Sequence, residues 1–88
     1  MDIDELRVRI DVIDEEIVRL LEKRAGVVGE VKEYKSKNGM GVLDTGREHE
    51  VFEDVRRLAR ERGLNEDFVE RVFREIVEES KKLQLLED

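Results

Sequence analysis

The chain has 88 residues, 17 Lys and Arg against 24 Asp and Glu for a net charge of −7, no Cys, no Pro and a single histidine, His49. Such a chain is expected to form one domain over residues 1–88, and it has no disulfide framework, Cys-based zinc site, thiol nucleophile or His-rich metal site. The acidic balance argues against nucleic acid as the main partner but leaves room for a small anion held by a local cluster of cations.

No apolar run approaches the ~18 residues of a membrane span, and no signal peptide opens the chain, so no membrane association and a cytoplasmic location are expected. Leu, Ile, Val and Phe number 29 of the 88 residues, too many for a disordered acidic tail. Few breakers with many Glu, Lys, Arg and Leu point to long helices and an all-α fold.

The first helix is predicted over about residues 4–37. Leu6, Ile10, Ile13, Ile17 and Leu20 step by four, three, four and three, and Val27 and Val31 continue the stripe after an interruption at Arg24. Asp2 or Asp4 can cap its start. The break falls at Asn38-Gly39-Met40-Gly41.

A second helix is predicted over about residues 45–62, starting near Asp44 or Thr45, with Thr45 and Glu48 spaced as a capping box. Phe52, Val55 and Ala59 give it an apolar face, and Gly63 suits its C-terminus. A third helix, about residues 66–86, follows Asn65 as cap.

At 1.5 Å per residue the first helix is about 50 Å long, whereas a compact 88-residue monomer has a radius of gyration of about 12 Å. The long stripe overhangs any core its own chain can make. The expected architecture is therefore three helices per chain in an intertwined homodimer.

The informative positions are those where apolar stripes turn polar. Arg24, Val28, Val31 and Lys35 step by four, three and four, so the two cations share a face about 16 Å apart along the axis. They can grip a small anion, or snorkel to solvent and pair with acids such as Glu30. Phe73, Val77, Ser80 and Gln84 repeat the same steps on the third helix. There a ligand can satisfy the hydroxyl and amide, or Ser80 can back-bond to its own helix while Gln84 faces water. Asp44 and Glu48, with Arg47 between, either cap the second helix or accept from a substrate hydroxyl. Arg7 lies roughly 25 Å along the first helix from Arg24, so one small-ligand site holds both only if Arg7 comes from a second, antiparallel copy.

Taken in order, Leu6-Arg7-Val8-Arg9-Ile10-Asp11 with Ile13-Asp14, Leu20 to Arg24, Val31 to Lys35, Asp44 with Arg47-Glu48, and Phe73 to Ser80 with Gln84 resemble the small all-helical chorismate mutases. The resemblance spans essentially the whole chain. It implies a dimer of three-helix chains with two equivalent sites, the rearrangement of chorismate to prephenate on the way to phenylalanine and tyrosine, and no metal or cofactor.

Position by position, the resemblance implies that Arg24 and Arg7 of the partner subunit bind the two substrate carboxylates. It puts Lys35 on a carboxylate and the ether oxygen, and Gln84 on the same ether oxygen. Glu48 and the backbone at Asp44 hold the ring hydroxyl, Ser80 touches a carboxylate, Arg47 supports, and Val31 and Val77 form apolar walls. The chain departs from the family pattern in its Gly39-Met40-Gly41 turn and in Gly46 beside the site, while Gly26 and Gly29 each weaken the first helix by about 1 kcal/mol relative to Ala. The nearest rival is an isochorismate-pyruvate lyase of the same fold, and a reading of another class is a non-enzymatic helical dimerisation module. A partner enzyme of the pathway is a further expectation, since the chain has no room for a regulatory domain.

Overall fold

The computed structural model describes residues 1–86. Three helices follow one another: α1 (Ile3–Lys37), α2 (Thr45–Glu61) and α3 (Glu66–Leu85). Each begins on a side-chain cap. Asp2 accepts from the Glu5 N–H at 2.8 Å, Asp44 from the Arg47 N–H at 2.9 Å and Asn65 from the Phe68 N–H at 2.8 Å. The capping box expected from Thr45 and Glu48 does not form. Asp44 takes the cap, Thr45 becomes the first helical residue, and Glu48 turns to α3 instead.

Both interhelical turns are closed by the same device. After α1, the Met40 N–H reaches back to the Lys35 carbonyl at 2.8 Å and the Gly39 N–H to that of Ser36 at 3.5 Å. After α2, the Leu64 N–H bonds the Ala59 carbonyl at 2.8 Å and the Gly63 N–H that of Arg60 at 3.3 Å. This paired closure needs a left-handed residue just past the helix, and Gly39 (φ 64°) and Gly63 (φ 71°) supply it. The other glycines in question are under no such demand. Among the described residues, a Cβ at Gly26 or Gly29 would meet nothing within 4 Å outside its own turn of helix, and one at Gly46 would make an ordinary 3.5 Å contact with Asp44 Oδ1.

The helix α3 packs against both other helices. Val55 and Ala59 of α2 and Val77 of α3 form the buried apolar core, with Ser80 the one buried polar residue among those described. At the α2–α3 hairpin Arg56 pairs with Asp67 (3.0 Å) and Glu70 (3.4 Å), Arg60 with Glu66 (3.2 Å), and Arg74 lies 5.0 Å above the Phe52 ring. The Asp67 hydrogen bond holds the Arg56 guanidinium above its usual range. No described helix is long and apolar enough to cross a membrane.

Among the described residues, the first twenty are all exposed. Ile13 and Leu20 are 55 % and 64 % exposed, and α1 contains no buried residue at all. The molecule extends 55 Å along its longest axis, with a radius of gyration of 16.2 Å.

Candidate active site

The C-terminal half of α1, the loop that follows it, the start of α2 and the end of α3 enclose an open cleft of about 280 Å³. Its position follows from helix register. Arg24, Val28, Val31 and Lys35 lie on the α1 face turned toward α3, and Val77, Ser80 and Gln84 lie on the α3 face turned toward α1. The capped first turn of α2 adds Asp44, Arg47 and Glu48. Nine of the ten residues singled out from the sequence thus line one cleft.

The tenth, Arg7, is elsewhere. It sits on the bare end of α1, 69 % exposed, with its guanidinium 3.8 Å from Asp4. The sequence spacing requires this separation within one chain.

Inside the cleft the polar groups answer one another across helices. The Arg24 guanidinium donates to the Ser80 hydroxyl, which in turn donates to the Ile76 carbonyl at 2.9 Å. Ser80 therefore back-bonds to its own helix and also faces α1. Lys35 Nζ donates to Gln84 Oε1 and to the Val42 carbonyl, both at 2.9 Å. Gln84 is half-buried rather than turned to water, and its Nε2 is 3.4 Å from the Ser80 carbonyl.

The electrostatics run against the chain's overall charge. Among the described residues neither Arg24 nor Lys35 has a carboxylate partner; their contacts are a hydroxyl, an amide oxygen and a backbone carbonyl. Burial, and secondarily the nearby Arg47, lower the Arg24 pKa from the ordinary guanidinium value. Arg47 reaches Glu50 at 3.3 Å. Of the two acids in the lining, Asp44 is committed to its cap and Glu48 to Lys81, 2.8 Å away. The result is a local excess of forked and point-charge donors with apolar walls at Val28, Val31 and Val77, an arrangement suited to a small polyanion with an apolar body.

Lys81 is the cleft residue that sequence reasoning passed over. It follows Ser80 and lies one turn after Val77, so helical register alone brings it to the edge of the cleft. Its partner Glu48 lies 33 positions earlier, a pairing that no local pattern reveals. Val42 of the loop and Val51 of α2, also in the lining, carry no signal beyond being apolar.

A family model described as chorismate mutase type II matches residues 6–85. A chorismate mutase of Methanocaldococcus jannaschii is 31 % identical over 80 residues, 91 % of this chain and 81 % of that protein. A bifunctional chorismate mutase/prephenate dehydratase of Aquifex aeolicus is 45 % identical over 60 residues, 68 % of this chain but 17 % of that protein. The T-protein of Enterobacter agglomerans is 36 % identical over 75 residues, 85 % of this chain and 20 % of that protein. The chain thus spans most of the archaeal relative and about a fifth of the longer ones.

Proposed function

Because the chain belongs to the chorismate mutase type II family, a family of isomerases, we propose that the cleft rearranges chorismate to prephenate and is completed by a second copy of the chain. In that reaction the ether C–O bond breaks as a C–C bond forms within one cyclic electron shift. No proton is transferred and no group leaves the molecule. The catalyst has two tasks: to hold the compact conformer, and to stabilise the negative charge that develops on the ether oxygen.

The observation that carries the reading is the Lys35–Gln84 pair at 2.9 Å in a cleft that also holds Arg24 and Ser80. With Gln84 Oε1 engaged by Lys35 and one Nε2 hydrogen directed at the Ser80 carbonyl, the second amide N–H is left to donate. An ammonium and an amide N–H can then converge on one oxygen. Arg24 takes a substrate carboxylate through its fork, with Ser80 beside it. Glu48 and the backbone at Asp44 hold the ring hydroxyl, Arg47 supports, and Val31 and Val77 enclose the ring.

The second copy is supported by what the single chain leaves bare. The α1 stripe is exposed along its N-terminal half, and the radius of gyration of 16.2 Å exceeds the ~12 Å of a compact chain this long. Antiparallel pairing of two α1 helices covers the stripe and brings Arg7 of the partner subunit toward Arg24, on the second carboxylate. An intertwined homodimer with two composite sites follows. Relatives named as bifunctional chorismate mutase/prephenate dehydratases support a pathway enzyme as a further partner.

The test is product analysis by NMR after incubation with chorismate, and separately with isochorismate, without added metal or cofactor. Prephenate from chorismate far above the uncatalysed rate is expected. Salicylate and pyruvate from isochorismate with chorismate untouched would make the chain a lyase, and a folded dimer inert to both would make it a scaffold without the chemistry.

A further inference from the structure

The cleft contains a carboxylate where an anionic substrate is to bind. Glu48 is turned into it from α2, only 26 % exposed at its side chain. Beside a dianion, a bare carboxylate repels what the neighbouring cations attract. Lys81 of α3 resolves the conflict. Its ammonium lies 2.8 Å from Glu48 Oε1, is itself 29 % exposed, and reaches Glu78 at 3.5 Å. One Glu48 oxygen is thus engaged by a cation, and the other stays available as an acceptor.

We propose that Lys81 is a positioning residue that fixes and neutralises Glu48, so that a carboxylate can accept the substrate hydroxyl inside a site built for a dianion. The inference rests on the reading of the cleft given above and names a residue that the reading does not use. The pair differs from the i,i+3 and i,i+4 pairs on the chain's surface, which are mostly exposed and contribute little. It joins two helices at the cleft rim, and both members are more than two-thirds covered.

A clamp that merely joined α2 to α3 would act on stability whatever the charge of residue 48. A counter-ion acts on substrate binding, and only while residue 48 is charged. The two roles are separated by kinetics of K81M, E48Q and the double variant, with K81R as the conservative control and thermal unfolding in parallel. In K81M the KM for chorismate is expected to rise about tenfold with kcat changed less than about threefold, the signature of lost binding rather than lost chemistry. K81R is expected to recover most of the KM.

In the E48Q background the same K81M change is expected to move KM less than about twofold, because a neutral amide needs no counter-ion. If K81M does not fold, K81Q carries the same comparison. An active wild type whose KM ignores K81M, or one in which the factor is equal in both backgrounds, overturns the role of Lys81 alone. A wild type inert toward chorismate overturns the reading of the cleft, and the role with it.

Discussion

Lys35 Nζ lies 2.9 Å from Gln84 Oε1, joining the last turn of α1 to the last turn of α3. The contact orients the Gln84 amide, since an oxygen held by an ammonium leaves the NH₂ to donate elsewhere. Replacing Gln84 with Leu keeps the volume and removes that donor. The expected result is a fall in kcat of about 10²-fold or more, the range for losing one donor to a developing oxyanion, with a smaller change in KM. Steady-state kinetics on Q84L checks this; a kcat within a few-fold of wild type would remove Gln84 from the chemistry.

The rate of the chemical step should be flat from about pH 6 to 8. Gln84 has no proton to exchange. The Arg24 shift is downward, but a guanidinium stays charged throughout that window. Hydrogen bonding to Glu48 holds the Lys81 ammonium above its usual range, so it also stays charged. His49, the one histidine, sits outside the cleft lining, 2.9 Å from Glu53. A single-turnover pH profile that falls steeply across this range would point to a titrating catalytic group.

Among the described residues neither Arg24 nor Lys35 has a carboxylate partner, and the charge on Arg24 is additionally disfavoured by burial and by Arg47. A bound dianion relieves this. An unreactive dicarboxylate analogue of the compact conformer should raise Tm, by an amount equivalent to about 2.7 kcal/mol at a hundred times its Kd. The shift should be largely lost in Arg24→Ala. Thermal shift at low and high salt measures it, and an equal shift in both proteins would place the anion elsewhere.

The α2–α3 hairpin should weaken in acid. Arg74, by its hydrogen bond, and then Arg56 hold the Glu70 carboxyl below its usual range. A carboxyl lowered by folding contributes stability that is present above its unfolded value and lost as pH falls through the folded one. Between about pH 5 and 3, wild type should therefore lose more Tm than Glu70→Gln. Identical slopes for the two proteins would show that the Glu70 pairs contribute nothing measurable.

Helix boundaries and cleft membership were legible in the sequence for a physical reason. The chain has few breakers, so the Asp and Asn residues before the helices and the Gly residues after them mark the ends to within a residue or two, although they leave open the choice between Asp2 and Asp4, or between Asp44 and Thr45. On a regular helix, four-three-four steps place Arg24 with Lys35 and Ser80 with Gln84 wherever the helix sits. Pairings between helices were not legible. The choice of Lys81 as the partner of Glu48 depends on how α2 docks on α3, and that contact has no local pattern. The bare N-terminal half of α1 was legible from its length, because a helix of about 50 Å cannot be covered by a chain this short.

In the composite site proposed above, the cleft becomes a catalyst only when a second chain supplies Arg7. Arg7→Ala and Arg24→Ala should each be nearly inactive. Unfolding an equal mixture and refolding it gives half mixed dimers, in which one site has Arg24 from one chain and Arg7 from the other while the second site has neither. Turnover should return to about one quarter of the wild-type value per chain, by this counting of closed twofold dimers. Recovery to that level is the predicted result. A mixture that stays as inactive as its two components, although refolded and dimeric, would contradict the composite site.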